Sequence, residues 1–269
     1  MSPQEPQILI TNDDGIASPG LWAAAAALRG VGKVWVVAPR EQSTSAGRST
    51  PPTSDGSIAA WPSPIGEGEI EAFSVGGTPA QAVLLALHEI LPGLPDLVIS
   101  GINYGTNAGP GITNSGTVGA AIEAAAHHIP ALAVSVETSM EQELSHSLEV
   151  DFSAAAAITA VFADLMMGRQ MPPDVHVLKV EVPAGATSHT PWEVTRLSLD
   201  PVYIPHIRRS ESWEDAHRLW YTIQPDRSTF QPGTDAHTVL VKRMVAVTPI
   251  SIDMTSRVSS AELEACLRG

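Results

Sequence analysis

The sequence predicts an α/β protein with a doubly wound, mostly parallel sheet and a β-rich extension at its C-terminal end. Three observations carry this prediction. Short apolar runs at residues 8–11, 34–38, 96–100 and 129–136 alternate with alanine-rich helical stretches, the pattern of βαβ units. A polar loop follows each of the first three runs, and in an open parallel sheet ligands bind beyond the carboxyl ends of strands. After about Glu137 the segments become shorter and more aromatic, with Pro and Gly between them.

The first strand, ILIT at residues 8–11, is broken by Asn12-Asp13-Asp14-Gly15. Two adjacent carboxylates there repel one another and call for a cation or a proton between them. Gly15 lets the turn bend so that Asp13 and Asp14 can converge. Ser18-Pro19 reads as N-cap and first position of a helix over residues 21–28, stopped by Gly30. VWVVA at 34–38 is a second buried strand, followed by the polar loop REQSTSAGRST and a Pro/Gly/Ser-rich stretch from 51 to 68. Thr78-Pro79 opens a helix to about Ile90. DLVIS at 96–100 is a third strand, and residues 101–114 form a Gly/Asn-rich loop. Ser115-Gly116-Thr117 starts a helix to about His128, before a fourth strand at 129–136.

Beyond Glu137, a helix over 152–167 and a strand over 175–182 are expected. Segments 192–199, 219–223 and 238–246 read as antiparallel ribbons, and Ser259 or Ser260 caps a short last helix through Leu267. The division expected is a core of residues 1–190 and an extension of residues 191–269.

Of the 269 residues, 43% are hydrophobic, enough for a buried core. The formal net charge of -14 disfavours a nucleic-acid backbone as a stable partner. With one cysteine, Cys266, the chain can form neither an internal disulfide nor a cysteine metal cluster. The start, MSPQEPQ, lacks the features of a signal peptide, and residues 21–28 are too few to span a bilayer. A cytoplasmic protein without a membrane segment is expected.

The three polar loops hold Asn12, Asp13 and Asp14; Ser43, Thr44 and Ser45; and Asn103, Asn107 and the Ser115-Gly116-Thr117 helix start. Their carboxylate, hydroxyl and amide oxygens suit Mg²⁺ or Mn²⁺ better than zinc or an iron–sulfur cluster. The helix start offers unpaired N–H groups at a positive dipole end, a seat for phosphate. Its plainer role is a serine N-cap with nothing bound. His127-His128 is explained by a helix C-terminus, and Arg196, Arg208 and Arg209 by surface pairing. Trp213, Trp220, Tyr221 and Phe230 read as packing or a subunit contact, with base stacking as the alternative. Neither GxGxxG nor GxxxxGK[ST] occurs.

The words ILITNDDGI, VVAP, GGTPA, DLVISGINYGTNAG, NSGTVGAA, IPALAVS and VTPISIDMT follow one another in this order. Together they resemble the SurE family, the stationary-phase survival proteins that are metal-dependent 5'/3'-nucleotidases. The resemblance implies a Rossmann-like core, a C-terminal β extension used in subunit exchange, and a homodimer or homotetramer. It implies a divalent ion, Mn²⁺ or Mg²⁺, on Asp13, Asp14, Asn103 and a hydroxyl from Ser43 or Thr44. Loop length counted from Pro39 to Gly47 favours Thr44, whereas the word EQS ends in Ser43. The phosphate pocket maps to Asn107, Ser115, Gly116 and Thr117. Departures from the usual family words are Gln81-Ala82 after GTPA, Asn114 before SGT, and LKVEVP at 178–183.

The function expected is hydrolysis of nucleoside 5'-monophosphates, and of 3'-monophosphates as a second class, by metal-activated water attacking phosphorus. Asp13, Asp14 and Asn103 are the expected catalytic residues. An aspartyl-phosphate phosphatase of the haloacid-dehalogenase kind spaces its two aspartates by one residue, whereas these are adjacent. A receiver-like or nucleotide-sensing domain also gathers acids around Mg²⁺, but a phosphate seat after a long Gly/Asn loop favours turnover.

Overall fold

The computed structural model describes residues 5–66, 70–145, 147–215 and 217–268. In chain order the first half contains β1 (Gln7–Thr11), α1 (Pro19–Leu28), β2 (Lys33–Pro39), β3 (Ile58–Ala60), β4 (Glu71–Val75), α2 (Pro79–Leu85), β5 (Leu97–Tyr104), α3 (Gly116–Ala126) and β6 (Ala131–Val136). The second half contains α4 (Met140–Ser145), α5 (Ser153–Met167), β7 (Val177–Val182), β8 (Trp192–Val194), β9 (Tyr203–Arg208), β10 (Arg218–Ile223), α6 (Asp235–His237), β11 (Val245–Ile250) and α7 (Ser260–Arg268).

Nine strands form one sheet in the order β3-β4-β2-β1-β5-β6-β7-β11-β8. The pairs from β4 through β7 are parallel, and among the described residues the antiparallel pairs of this sheet are β3–β4 and β11–β7. The chain runs outward from β1 to β2 and β4, then returns beside β1 with β5 and continues the other way. The reversal leaves a crevice between the carboxyl ends of β1 and β5, where an open α/β sheet binds ligands.

Alternation within β1 explains the two layers. Ile8 and Ile10 face a core cluster with α1 and α5, while Leu9 faces α2 and α3 on the other side. All three are fully buried, so between Gln7 and Thr11 at its two ends this strand, covered on both faces, carries no polar residue. Gly20 of α1 lies against the backbone of Ile102, where a Cβ would come within 2.2 Å of the carbonyl oxygen. Thr78 caps α2 through a reciprocal box with Gln81.

Besides α4 and β9, which form where no element is expected, the structure departs from the sequence expectation at three places. β3 forms inside the Pro/Gly/Ser-rich stretch and β4 after it, and β4 joins the sheet parallel to β2. Residues 238–246 are not a ribbon strand. Thr234 caps α6 by accepting from the His237 N–H, and a π-helical turn (Thr238–Lys242) carries the chain to Arg243 at φ 58° before β11 begins. Burial of Val239 and Leu240 against Ala108, Val202 and Phe230 holds this helical segment, because tertiary packing overrides the β preference of its valines. Third, β8 and β11 extend the main sheet, while β9 and β10 alone form a separate antiparallel ribbon.

Candidate active site

Asp13 and Asp14 follow Asn12 just beyond the end of β1, with the Asp13 charge acting on Asp14. Asn12 closes the turn, its carboxamide bonding both the N–H and the carbonyl of Gly15, which lies at φ 93°. Asp13 turns toward α3, where the Thr117 hydroxyl donates to its Oδ1 at 2.6 Å. Asp14 turns toward β5, and its Oδ2 accepts from the Tyr104 N–H at 3.3 Å. Both carboxylates are buried.

Burial raises the Asp13 carboxyl above its ordinary range, against the pull of the Thr117 hydroxyl and the N–H groups of Gly116 and Thr117. Burial pushes Asp14 well above it, and the Asp13 charge adds to the effect, opposed by the Tyr104 N–H and the Gln42 side chain. Two such groups side by side favour a cation between them. Glu143 of α4 also acts on Asp14; its own carboxyl is pushed up to about 8 by burial, against a hydrogen bond from Tyr203.

Asn103, near the end of β5, is buried in the crevice. Its amide nitrogen donates to the carbonyls of Tyr104 and Gly105, each at 2.8 Å. Both donors are thereby engaged, and the carboxamide oxygen is the end left for a ligand. The loop after β2 is tied in by the Ser43 N–H, which donates to the Asp13 carbonyl at 2.7 Å, and by the Gly47 N–H, which donates to the Asn114 carbonyl at 3.0 Å. Ser43 is half-buried and Thr44 is exposed. Further along, Gly119 of α3 lies against Gly47, and Arg48 Nε pairs with Glu123 Oε2 at 2.6 Å.

At the start of α3, the Ser115 hydroxyl accepts from the Val118 N–H at 3.0 Å, the N-cap arrangement. Gly116 lies so close to Asp13 that a Cβ there would fall 2.7 Å from the Asp13 Cβ and 2.8 Å from its Oδ2. The helix start thus holds the Asp13 carboxylate. Asn107 is half-buried, with its amide nitrogen donating to Ser135 Oγ at 2.8 Å. The structure therefore brings the three loops together, through Asp13, Asp14, Ser43, Asn103 and the 115–117 helix start.

The donors fit a hard divalent cation: two carboxylates, an oriented carboxamide oxygen and a neighbouring hydroxyl. Among the described residues no three or more His, Cys, Asp or Glu side chains are arranged to hold a metal ion, so a cation here relies on neutral oxygens as well as the two aspartates.

Residues 8–202 match the family described as Survival protein SurE. This chain belongs to the SurE family. It is 38% identical to the 5'-nucleotidase SurE of Thermococcus kodakarensis, over 97% of this chain and 98% of that protein. To the 5'-nucleotidase SurE of Thermococcus gammatolerans it is 40% identical, over 98% and 96%. The crystal structure of the SurE protein from Aquifex aeolicus superposes with a TM-score of 0.79 at 29% identity, covering 97% of this chain and all of that one.

Other residues singled out by sequence are dispersed. His127 pairs with Glu123 at 3.4 Å and meets the His88 ring. Arg196 bridges to Thr234 through its backbone, and Arg208 lies on β9. Phe230 is core, whereas Trp213, Trp220 and Tyr221 are exposed. Sequence reasoning on this SurE-family chain missed Gln42 and Glu143, which act on Asp14, and Tyr203, which donates to Glu143. It also missed the buried ion pair of Lys179 and Glu181, although two charges on one face of an apolar strand are a visible signal. No helix among the described residues is long and apolar enough to cross a membrane.

Proposed function

We propose that this chain is a metal-dependent phosphomonoesterase that hydrolyses nucleoside 5'-monophosphates, with 3'-monophosphates as a second substrate class. The observation that carries this reading is the pair of buried carboxylates, Asp13 and Asp14, beside the oriented carboxamide of Asn103 at the sheet's switch point. The names of the Thermococcus relatives support the substrate class.

In this reading Asp13, Asp14 and Asn103 hold Mn²⁺ or Mg²⁺ together with a hydroxyl from the loop after β2. Ser43 is the better candidate for that hydroxyl, being half-buried and tied to Asp13, while Thr44 faces solvent. Bound there, the ion supplies charge to polarise a phosphoryl oxygen and to acidify the attacking water. Thr117 and Gly116 fix the Asp13 carboxylate, and the positive end of α3 offsets its charge. Asn107 and the Ser115 hydroxyl donate to the phosphate's outer oxygens, where negative charge must be stabilised as the bond to the nucleoside breaks.

We further propose a homodimer or homotetramer. A two-stranded ribbon is marginal alone, and β9–β10 exposes Ile207, Leu219, Trp220 and Tyr221, while α7 has no buried residue. A second copy would cover these apolar surfaces. The exposed thiol of Cys266 suits the reducing cytoplasm.

Phosphate release from AMP and GMP, with Mn²⁺, with Mg²⁺ and in EDTA, tests the function. Turnover should require the added ion. Full turnover in a chelated sample would overturn the metal assignment, and no phosphate release under any condition would overturn the nucleotidase reading.

A further inference from the structure

Lys179 and Glu181 stand two residues apart on β7 and share one face of the sheet. Both are completely buried, as is Asp235 at the start of α6. Lys179 Nζ donates to Glu181 Oε1 and to Asp235 Oδ2, each at 3.0 Å. Burial opposes the lysine's charge, but the two carboxylates outweigh it and keep its pKa above the ordinary value.

The remaining carboxylate positions accept backbone N–H groups. Glu181 Oε2 takes that of Asn107 at 3.0 Å, and Asp235 Oδ2 takes that of Gly109 at 3.0 Å. Asp235 Oδ1 takes those of Ser198 and Ala236, each at 2.8 Å. Asn103, Ser135 and Glu181 lie in register across β5, β6 and β7, and Ser135 holds one amide hydrogen of Asn107. The other amide hydrogen remains for an anionic oxygen.

Stability alone is a poor reason for this arrangement, because apolar replacements of buried ion groups are often neutral or stabilising. Apolar side chains could not, however, accept the N–H of Asn107, which lies outside helix and strand, or that of Gly109, the first residue of a 3-10 turn (Gly109–Thr113) whose N–H has no partner within the turn. Two carboxylates without the lysine would also repel an incoming phosphate.

We propose that Lys179, Glu181 and Asp235 form a positioning device for substrate phosphate, fixing the backbone at Asn107 and Gly109 so that the Asn107 carboxamide meets the phosphate. This rests on the reading of Asn107 as a phosphate contact.

The test uses the full-length protein with Mn²⁺ and AMP, and inorganic phosphate as a competing ligand. Lys179→Met should raise the KM for AMP and the Ki of phosphate about tenfold, the scale of one lost charge-assisted hydrogen bond. The Mn²⁺ activation midpoint should stay within about twofold, since no metal donor is touched. The double variant K179M/E181L removes the charge pair together, leaves Asp235 with its three N–H partners, and should show the same split. It should also speed amide exchange over residues 105–110.

A folded double variant with unchanged KM and Ki would overturn the proposal, as would KM, kcat and the Mn²⁺ midpoint all worsening together. In the unmodified protein the amides of Asn107 and Gly109 should exchange slowly; rapid exchange would overturn it whether or not the variants fold. Asn107→Ala separates the two readings. If it leaves the phosphate Ki unchanged, the phosphate contact fails and the proposal fails with it. If Asn107→Ala raises Ki but K179M/E181L does not, only the positioning role fails.

Discussion

The Thr117 hydroxyl donates to Asp13 Oδ1 at 2.6 Å, joining residues 104 positions apart in the chain. A helix start that the sequence offers as a phosphate seat therefore orients a carboxylate, and an ion held on Asp13 would inherit the rigidity of α3. Thr117→Val keeps the shape and deletes the donor. The Mn²⁺ concentration for half-maximal activity should rise roughly ten- to hundredfold, the range for disturbing a metal ligand's partner. Thr117→Ser should restore most of it. An unchanged Mn²⁺ midpoint in Thr117→Val would remove this role.

Asp14 is held at the expense of stability, because burial and then the neighbouring Asp13 charge both disfavour its ionised form. Asp14→Asn should lower phosphate release from AMP on the order of a hundredfold or more. In EDTA the same variant should melt about 3 °C higher than the parent, equivalent to about 1 kcal/mol for a chain of this size. Near-normal activity would make Asp14 a turn residue, and a lower melting temperature would refute the repulsion.

Ser43 and Thr44 are adjacent but differently placed, the first half-buried and the second exposed. Ser43→Ala should weaken Mn²⁺ activation by roughly tenfold or more, while Thr44→Val should be mild. The reverse pattern would assign the ligand to Thr44, as loop length by itself suggests.

Glu143 titrates near 8 in the fold against an ordinary value of 4.5. The folded state therefore favours the protonated acid, so the stability contributed by this group is complete below pH 4.5 and is lost as pH rises through about 8. In EDTA, wild-type protein should lose melting temperature between pH 5 and pH 9, and Glu143→Gln should lose less. Parallel pH profiles for the two proteins would show that Glu143 is not held neutral.

The β9–β10 ribbon presents Ile207, Leu219, Trp220 and Tyr221 to solvent, and Trp213 between its strands is 89% exposed. Light scattering at micromolar concentration should give a multiple of the 28.3 kDa chain mass, and deleting residues 205–235 should reduce it. A monomeric intact protein would mean that these aromatics serve another purpose, such as covering the substrate.

Local pattern alone determined the doubly wound sheet. Apolar runs such as 8–11 and 34–38 admit one role when both faces are covered, and Ser18-Pro19 and Thr78-Pro79 mark helix starts through their own backbone chemistry. The acidic turn, the glycine at position 15 and the Ser115 cap were legible for the same reason, since each depends on neighbours in the chain. Partners distant in sequence were not legible. That Thr117 serves Asp13, that Glu143 presses on Asp14, and that Lys179 and Asp235 neutralise one another across 56 residues are products of packing. Residues 238–246 show the same limit: their valines suit a strand, but burial of Val239 and Leu240 against Phe230 makes part of the segment helical. Sequence periodicity reports which face of an element is apolar, whereas only the folded chain decides which polar atoms meet in the space left between elements.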